Sequence, residues 1–428
     1  MLTLNKEIFK HSQQLLGILV SNKLISTFSN QFKGCLFIRE KFKAIQLYDS
    51  DTSKKLILLN DKFKNEQEIP DNLKEFIKNN KIEIIEKQVE LNYDNYSYEQ
   101  VLKKVLPENM TIPFSYEKIG HIAHLNLRDE QLPYKFIIGQ VILDKNFQIR
   151  TVINKVGKID TVFRTFKNEL LAGENNLLTE IKENECIFKF NFEEVYWNSR
   201  LQIEHWNLID SFTKDDIVCD MFAGVGPFAL PAVKLKKCKV YANDLNPNSI
   251  KYMRENAKLN KISSDKLIIS NLDAREFVRS LLLVSDKDSQ PVPITQVIMN
   301  LPSTSIEFLD VFREIFLNAD RAPPISKPPT IHCYTFTKGR ENSDLVSDTR
   351  KNVEDIIGCR IPDDFKCTEV RDVSAHKIMM RISFVMPTNI KSSDNPLKRT
   401  VDQVSESEVS TDESKRLKLD NNNNNDSK

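Results

Sequence analysis

Residues suited to a nucleoside cofactor surround a glycine turn in DIVCDMFAGVGPFALP at 216–231. An apolar run ends at Asp220, and small residues that include Gly224 and Gly226 then lead into a helix-like segment. Such a turn lets the backbone approach a ligand at the carboxyl end of a strand. Asp244 ends the next apolar run, where an acid accepts hydrogen bonds from ribose hydroxyls. The turn lacks the Gly-x-Gly-x-x-Gly pattern of dinucleotide sites and the Gly-Lys-Ser/Thr of phosphate loops. S-adenosylmethionine is therefore the leading candidate, although an unrelated strand–turn–helix can contain the same residues.

Two polar positions after later apolar runs would complete the cofactor side of this site. Asp273 follows the run KLIIS, where in a methyltransferase-type sheet an acid accepts from the adenine amino group and the N–H of Ala274 contacts the ring. An acid in this place can equally cap a helix. Asn300 ends the run QVIMN in an Asn-Leu-Pro sequence, where its amide can orient a target base beside the sulfonium. Outside such a sheet, the tripeptide would be only a turn.

Two charged side chains are candidates for acid–base and electrostatic chemistry. The segment at 196–209, YWNSRLQIEHWNLI, predicts a helix that enters the sheet with Ser199 as its cap. Glu204 and His205 on that helix would point toward the mouth of the site, and an exposed helix that carries acids is the alternative interpretation. Arg164 lies among aromatic residues in FRTFKNELLAGE, a setting that suits phosphate or base-oxygen contacts and equally suits a salt bridge.

A sheet is needed to bring these residues together, and the sequence from residue 196 predicts one. Strand, turn and helix alternate through IVCDMF, CKVYAN, KLIIS, QVIMN and IHCYTFT. That alternation predicts a parallel sheet with helices on both faces, and CTEVRDV and IMMRISFVM predict an antiparallel pair at its end. The polar or proline-rich segments 285–294 and 319–329 are interpreted as inserted loops.

The preceding part of the chain predicts two smaller units. A helical start (IFKHSQQLLGIL), short strands and a closing helix (YEQVLKKVL) predict a small α+β domain. The following segment predicts a mostly antiparallel sheet without long helices, with strands at 118–127, 135–144, 148–156 and 186–192. The predicted domains are 1–108, 109–195 and 196–390, followed by a low-complexity tail at 391–428 that is too polar to bury a core and is predicted to be disordered.

Composition excludes several classes of protein. The 428 residues carry a net charge of +1, so the molecule is not a polycation, although residues 1–45 hold seven Lys/Arg and two Asp/Glu. Seven scattered cysteines without a Cys-x-x-Cys pair favour a reducing compartment and argue against disulfides and structural zinc. No apolar run approaches the length of a membrane span. The basic start resembles a mitochondrial presequence, but Glu7 and the strand-like CLFIR interrupt that pattern.

Together these motifs resemble the tRNA (guanine-N1)-methyltransferases of eukaryotes and archaea, which modify the guanosine 3′ of the anticodon, at position 37. The resemblance covers about residues 3–388. It implies a Rossmann-like class I methyltransferase domain (α/β) preceded by a small α+β domain that checks the tRNA outer corner. A mostly antiparallel middle domain would grip the anticodon branch together with the methyltransferase domain. The matching stretches are GHIAHLNLRDEQLPYKFIIGQVILDKN, FRTFKNELLAGE, VYWNSRLQIEHWNLI, DIVCDMFAGVGPFALP, ANDLNPNSIKYMRENAKLNKI and VIMNLPSTSIEFLD.

The resemblance also implies roles for the candidate residues. N1 of guanine carries a proton, so the reaction needs a general base and a donor or cation for the charge that develops on O6. Glu204 matches the proposed base, with a pKa raised by partial desolvation; Arg164 matches the O6 partner, and Asn300 would hold the guanine edge. No metal is implied, and the target base must be splayed out of the anticodon loop. Residues implied to surround S-adenosylmethionine are His205, Asp244, Leu245, Asp273, Ala274 and Asn300, with Tyr196 and Phe222 as apolar walls.

Alternatives remain open from the sequence. An aminocarboxypropyltransferase of the wybutosine pathway uses the same cofactor but transfers its other alkyl chain; a catalytically dead tRNA-binding protein and a DNA or protein methyltransferase are more distant. We expect a monomer that binds tRNA and no membrane. Basic clusters at 398–399 and 415–418 fit a bipartite nuclear-import signal or a solvated tail. We expect a cytoplasmic protein with nuclear and mitochondrial matrix pools.

Overall fold

The computed structural model describes residues 2–157, 163–283, 290–317, 327–337, 344–374 and 377–387. The described residues form two compact units. One comprises residues 2–157 and 166–177, and the other comprises residues 163–165 and the described residues from 178 onward. The predicted tail from 391 and most of the predicted loop at 319–329 lie outside the described residues. In the described part of the chain, no helix is long and apolar enough to cross a membrane.

The first unit begins with a four-stranded antiparallel sheet in the order β2-β3-β1-β4. The predicted helical start is wrong, because residues 11–21 form a strand. Leu16 and Ile18 pack into one core cluster and Leu15 and Leu19 into another, so this strand is buried on both faces and reads as a continuous apolar run. The elements are β1 (His11–Ser21), α1 (Ile25–Gln31), β2 (Ile45–Leu47), β3 (Lys54–Leu58), α2 (Asp71–Asn79) and β4 (Glu83–Leu91).

A second four-stranded sheet, in the order β5-β6-β7-β8, completes the first unit. Two of its three pairings are antiparallel, and β6–β7 is parallel. The elements are α3 (Tyr98–Val105), β5 (Glu117–Ile119), β6 (Ile122–Leu125), α4 (Lys135–Lys145), β7 (Thr151–Val156) and β8 (Lys167–Gly173).

The strand predicted at 135–144 is wrong, since this segment is the helix α4. Parallel strands such as β6 and β7 require a crossover connection, and α4 supplies it. Its side chains Ile138, Val141 and Ile142 are fully buried at helical spacing in one core cluster with residues of α3 and β8. That core also contains Phe9 and Tyr93, so the predicted boundary at 108 falls inside it; the three-domain division stays a prediction.

The second unit holds a hairpin and a seven-stranded sheet in the order β13-β12-β11-β14-β15-β17-β16. Strands β11 to β15 pair in parallel, whereas β17 and β16 are antiparallel. The predicted strand–helix alternation and its antiparallel end are therefore confirmed. The strands are β9 (Leu178–Glu183), β10 (Cys186–Asn191), β11 (Ile217–Asp220), β12 (Lys239–Asn243), β13 (Leu267–Ser270), β14 (Gln296–Met299), β15 (Thr330–Thr337), β16 (Lys366–Ser374) and β17 (Lys377–Val385).

Helices pack on this sheet, and their apolar side chains form a core together with those of the strands. Fully buried Phe277 and Phe312, on α8 and α9, belong to a cluster with inward residues of β11, β14 and β15. On the hairpin side, Asn256 of α7 and its C-cap residue Asn260 hydrogen-bond the backbone of Lys189 and Ile187 on β10, which fixes the hairpin to the domain. The helices are α5 (Gln202–Asp210), α6 (Ala229–Lys236), α7 (Pro247–Leu259), α8 (Ala274–Leu282), α9 (Asp310–Leu317) and α10 (Leu345–Ile357).

Candidate active site

The carboxyl ends of β11, β12, β13 and β14 meet at one edge of the large sheet. The strand order reverses between β11 and β14, which is the place where open parallel sheets bind ligands. Most of the predicted cofactor residues lie in the segments that follow these four strands. They are Phe222 after β11, Asp244 and Leu245 after β12, Asp273 and Ala274 after β13, and Asn300 after β14.

The glycine turn after β11 forms the floor of this edge. Gly224 and Gly226 have φ values of +55° and +97°, a region that favours glycine. A Cβ built on Gly226 would lie 2.1 Å from Leu230 Cδ1, so this glycine serves packing. A Cβ built on Gly224 would meet nothing within 4 Å. The backbone of Gly224 therefore faces open space on its side-chain side, as a ligand-facing turn requires.

Asp244 holds this turn in place. Its Oδ2 accepts from the backbone N–H of Gly224 at 2.8 Å, and its Oδ1 accepts from that of Asn246 at 2.8 Å. Burial raises the pKa of the Asp244 carboxyl above its ordinary value, while these two backbone donors oppose that shift. Each carboxylate oxygen keeps a second lone pair for a ribose hydroxyl.

Asp220 is a second acid at this edge. The sequence analysis identified it as the end of a strand and predicted no role for it in the site. It is fully buried, and within the described residues neither carboxyl oxygen has a side-chain hydrogen-bond partner. Burial raises its pKa to about 8, and the nearby charge of Asp244 contributes in the same direction. The group is therefore largely neutral at pH 7 and able to donate a hydrogen bond.

Asp273 and Ala274 begin α8. Asp273 is the N-cap, and its Oδ1 accepts from the backbone N–H of Arg275 at 2.8 Å. Asp273 therefore caps a helix, which is the alternative role that the sequence allowed for it. Since a carboxylate has several acceptor positions, capping leaves room for a bond from an adenine amino group.

Apolar side chains flank the turn and the acids. Phe222 packs edge-to-face on Phe308 at a centroid distance of 5.0 Å. Leu245 is 51% exposed, and Leu272 and Tyr196 are also among the exposed large apolar residues. An adenine ring would find such surface beside Asp244 and Asp273.

Asn300 ends β14 on the other side of the switch point. Its Oδ1 is buried and, in the described part of the chain, has no hydrogen-bond partner. Buried acceptors are normally satisfied, so an orphaned one at a ligand edge indicates a partner that the protein itself does not supply.

Glu204 lies in the first turn of α5, and its residue is only 8% exposed. Its Oε1 accepts from the hydroxyl of Tyr334 at 2.8 Å and lies 2.8 Å from Arg381 Nη1. The expected cap is wrong: Asn198 rather than Ser199 caps the short 3-10 turn that leads into α5, accepting from the N–H of Arg200. Sequence reasoning missed Tyr334 and Arg381, although an arginine inside the apolar strand IMMRISFVM was a visible signal.

His205 follows Glu204 but has a different partner. Its Nδ1 lies 2.6 Å from Oε1 of Glu183 on β9, and both side chains are almost fully buried. The ring packs edge-to-face on Phe228, which follows the glycine turn, at 4.7 Å. Phe228 in turn lies 6.0 Å from the ring of Tyr334. This chain of contacts connects the Glu204 cluster to the cofactor turn.

Arg164 groups with the second unit rather than with the preceding domain expected from the sequence. Its φ of +58° is unusual for a residue with a Cβ, and such strain often accompanies function. Burial lowers the pKa of its guanidinium, and the neighbouring Tyr196 opposes that shift. A guanidinium remains a cation at neutral pH.

The residues at this edge fit S-adenosylmethionine. The space over Gly224, the unpartnered Oδ1 of Asn300 and the apolar rim at Leu245 suit a nucleoside with a charged, amino-acid-bearing tail. A doubly wound sheet with this edge defines a class I S-adenosylmethionine-dependent methyltransferase.

Known proteins identify the family. A tRNA (guanine(37)-N(1))-methyltransferase of Dictyostelium discoideum is 63% identical over 385 residues, 90% of this chain and 82% of the relative. The protein of the same name from Heterostelium pallidum is 58% identical over 405 residues, 92% of this chain and 90% of the relative. The chain belongs to the tRNA (guanine(37)-N(1))-methyltransferase family. Its cofactor is S-adenosylmethionine, as predicted.

Family models and solved structures agree with this assignment. The model described as the TRM5/TYW2 methyltransferase domain matches residues 179–361, and the TYW2 N-terminal domain matches residues 98–176. The structure of Trm5b from Pyrococcus abyssi is 24% identical with a TM-score of 0.57, covering 87% of this chain and 99% of its own. The structure titled as a complex of aTrm5 and tRNALeu is 23% identical with a TM-score of 0.63, covering 87% and 100%. These structures confirm the predicted fold class.

Proposed function

We propose that this protein transfers the methyl group of S-adenosylmethionine to N1 of guanosine 37 in tRNA, with Glu204 as the general base. The buried position of Glu204, which accepts a hydrogen bond from Tyr334 and is ion-paired with Arg381, carries the proposal. The curated relatives named for this activity support it.

The reaction needs a base because N1 of guanine carries a proton at neutral pH. Glu204 is an almost fully buried carboxyl group, and it is the proposed acceptor of that proton. Arg164, a half-buried cation, would stabilise the charge that develops on O6. The free Oδ1 of Asn300 would accept from an N–H on the guanine edge.

The cofactor residues have separate tasks in this proposal. Asp244 would accept from the ribose hydroxyls and Asp273 from the adenine amino group, with the N–H of Ala274 on the ring. Leu245, Phe222 and Tyr196 would line the apolar surface, and His205 would support the turn through Phe228. When bound, the cofactor supplies an electrophilic methyl group on a sulfonium.

Recognition of tRNA is proposed for the whole chain. The N-terminal residues would read the outer corner, and the remaining residues would bind the anticodon branch as a monomer. The proposed locations are the cytoplasm, the nucleus and the mitochondrial matrix. Size-exclusion chromatography with light scattering, and imaging of the tagged full chain, test these two points.

Aminocarboxypropyl transfer is the second candidate, because residues 98–176 match a domain model described for TYW2. Purified protein would be incubated with tRNA and S-adenosylmethionine labelled either on the methyl or on the carboxypropyl carbons. We expect label from the methyl position alone. A carboxypropyl product would refute the proposal.

Glu204→Gln tests the base assignment, because the amide keeps the size of the side chain but accepts no proton at neutral pH. We expect unchanged cofactor affinity by calorimetry and a loss of single-turnover rate of roughly a hundredfold or more. A wild-type rate in this variant would show that Glu204 is not the base. Nucleoside mass spectrometry of tRNA from cells that lack the protein should show loss of N1-methylguanosine.

A further inference from the structure

Tyr334 and Arg381 are directly opposite each other in the antiparallel pair β15–β17. Their neighbours Cys333 and Ile382, also an opposite pair, belong to the core cluster on one face of the sheet. Side chains alternate along a strand, so Tyr334 and Arg381 lie on the other face, where they contact Glu204 of α5. Tyr334 is fully buried and the side chain of Arg381 is 15% exposed.

Both side chains contact the same oxygen of Glu204. The Tyr334 hydroxyl donates to Oε1 at 2.8 Å, and Arg381 Nη1 lies 2.8 Å from Oε1. A phenol donor and a guanidinium each favour the ionised form of a carboxylate. A buried carboxylate that lost its cation would instead favour the neutral form. The two contacts therefore fix the position of Oε1 of Glu204.

We propose that Tyr334 and Arg381 are positioning residues that clamp Oε1 of Glu204, keep it ionised, and direct Oε2 toward the N1–H of the target guanine. This inference rests on the proposed function. As the bond from N1 to the methyl carbon forms, the carbon–sulfur bond breaks and its electron pair stays on sulfur. The N1 proton moves to Oε2, and Glu204 becomes a neutral acid that later releases the proton to water.

Two histidines near this cluster in the sequence have other partners. His332, two residues before Tyr334 on β15, contacts Ser383 and Gln296, and burial lowers its pKa to about 3, so it is neutral at pH 7. On α5 itself, His205 is paired with Glu183. Among the described residues, Arg381 is the cation that is ion-paired with Glu204.

The test is the pH dependence of single-turnover methyl transfer to tRNA. In Arg381→Met we expect a rate lower by roughly a hundredfold near neutral pH, with the acidic limb of the profile moved to higher pH, so that the variant recovers in alkali. Arg381→Lys should restore much of the rate because it keeps the charge. Tyr334→Phe should move the limb in the same direction by less. Cofactor affinity by calorimetry should stay within about threefold of wild type in all three variants.

Two matched controls separate the clamp from general damage. Arg371→Met removes an arginine from the neighbouring edge strand β16, and Tyr252→Phe removes another tyrosine–glutamate hydrogen bond, to Glu194. Neither should move the pH profile. If Arg381→Met does not fold, the pH profiles of Tyr334→Phe and Arg381→Lys test the clamp instead. A uniformly lower rate with an unshifted profile would overturn the clamp.

Wild type and Glu204→Gln are measured alongside these variants. Absence of N1-methylguanosine with the wild-type enzyme would refute the proposed function. An active wild type with an inactive Glu204→Gln and an unshifted Arg381→Met would refute the clamp alone.

Discussion

Glu183 and His205 form a buried pair that fastens the hairpin β9–β10 to helix α5, with Glu183 Oε1 2.6 Å from His205 Nδ1. Glu204, the proposed base, immediately precedes His205 in the chain. The pair therefore sets the rotation of the helix that presents the proposed base, and it supports the glycine turn through Phe228.

Glu183→Ala should cost about 1–3 kcal/mol of unfolding free energy, because it leaves a buried imidazole without its partner. We also expect weaker cofactor binding, since His205 loses its fixed orientation against Phe228. Chemical denaturation and calorimetry measure the two effects. Glu180→Ala, an exposed position on the same strand, is the control and should change neither. Equal stability of the two variants would contradict the structural role of the pair.

Asn300→Ala should separate function from stability. The Oδ1 of Asn300 has no partner in the described structure, so its removal costs that acceptor no hydrogen bond, and the melting temperature should stay near the wild-type value. The methyl-transfer rate should fall about tenfold or more, because the guanine edge loses an acceptor.

Asn243→Ala is the matched control for that experiment. Asn243 is buried and hydrogen-bonded to the backbone N–H and C=O of Leu272 at 2.9 and 3.0 Å. We expect it to lower the melting temperature clearly. A large loss of stability in Asn300→Ala would instead indicate a structural role for that asparagine.

Gly224→Ala should weaken cofactor binding more than it weakens folding. The added methyl group points into open space and has room in the free protein, and the positive φ costs about 1 kcal/mol. Equilibrium dialysis should show affinity for S-adenosylmethionine lower by about tenfold or more. Gly226→Ala places its methyl group on Leu230 and should mainly lower the melting temperature. The ligand-facing assignment fails if Gly224→Ala binds the cofactor as wild type does.

The raised pKa of Asp220 predicts that the cofactor-free protein becomes less stable as pH rises. Its folded pKa of about 8 lies above the ordinary value of 3.8, so the folded protein binds more protons than the unfolded chain between these values. Unfolding free energy therefore decreases across that window. Asp220→Asn cannot ionise, and we expect it to lose part of the decrease between about pH 5.5 and about pH 8.

Asp216→Asn is the contrasting variant for this measurement. Hydrogen bonds from Gln296, Thr295 and Thr213 outweigh the effect of burial and lower the pKa of Asp216, so its stabilisation is fully present above the ordinary value. Asp216→Asn should therefore lower the unfolding free energy by a similar amount at about pH 5.5 and at about pH 8. The assignment for Asp220 is wrong if Asp220→Asn shows the wild-type pH dependence.

Local patterns predicted the large sheet of the second unit and the residues that follow its parallel strands. Alternating strand and helix signals from residue 196 predicted the parallel sheet, and acids or amides at strand ends predicted Asp244, Asp273 and Asn300. The structure places these three residues at one edge of the sheet because the carboxyl ends of parallel strands meet there, so the position in sequence already gives the position in space. The same reasoning failed at 11–21 and 135–144, where continuous apolar runs fit a buried strand and a buried helix equally well.

The sequence by itself determined the fold class, the cofactor and the family, since these depend on short motifs whose order survives in one dimension. Only the tertiary structure decided what surrounds Glu204. Tyr334 and Arg381 lie far along the chain and reach the same oxygen because β15 and β17 pair antiparallel, and α5 packs on their shared face. Strand register and the burial that excludes water are properties of the assembled sheet, and no local pattern encodes them.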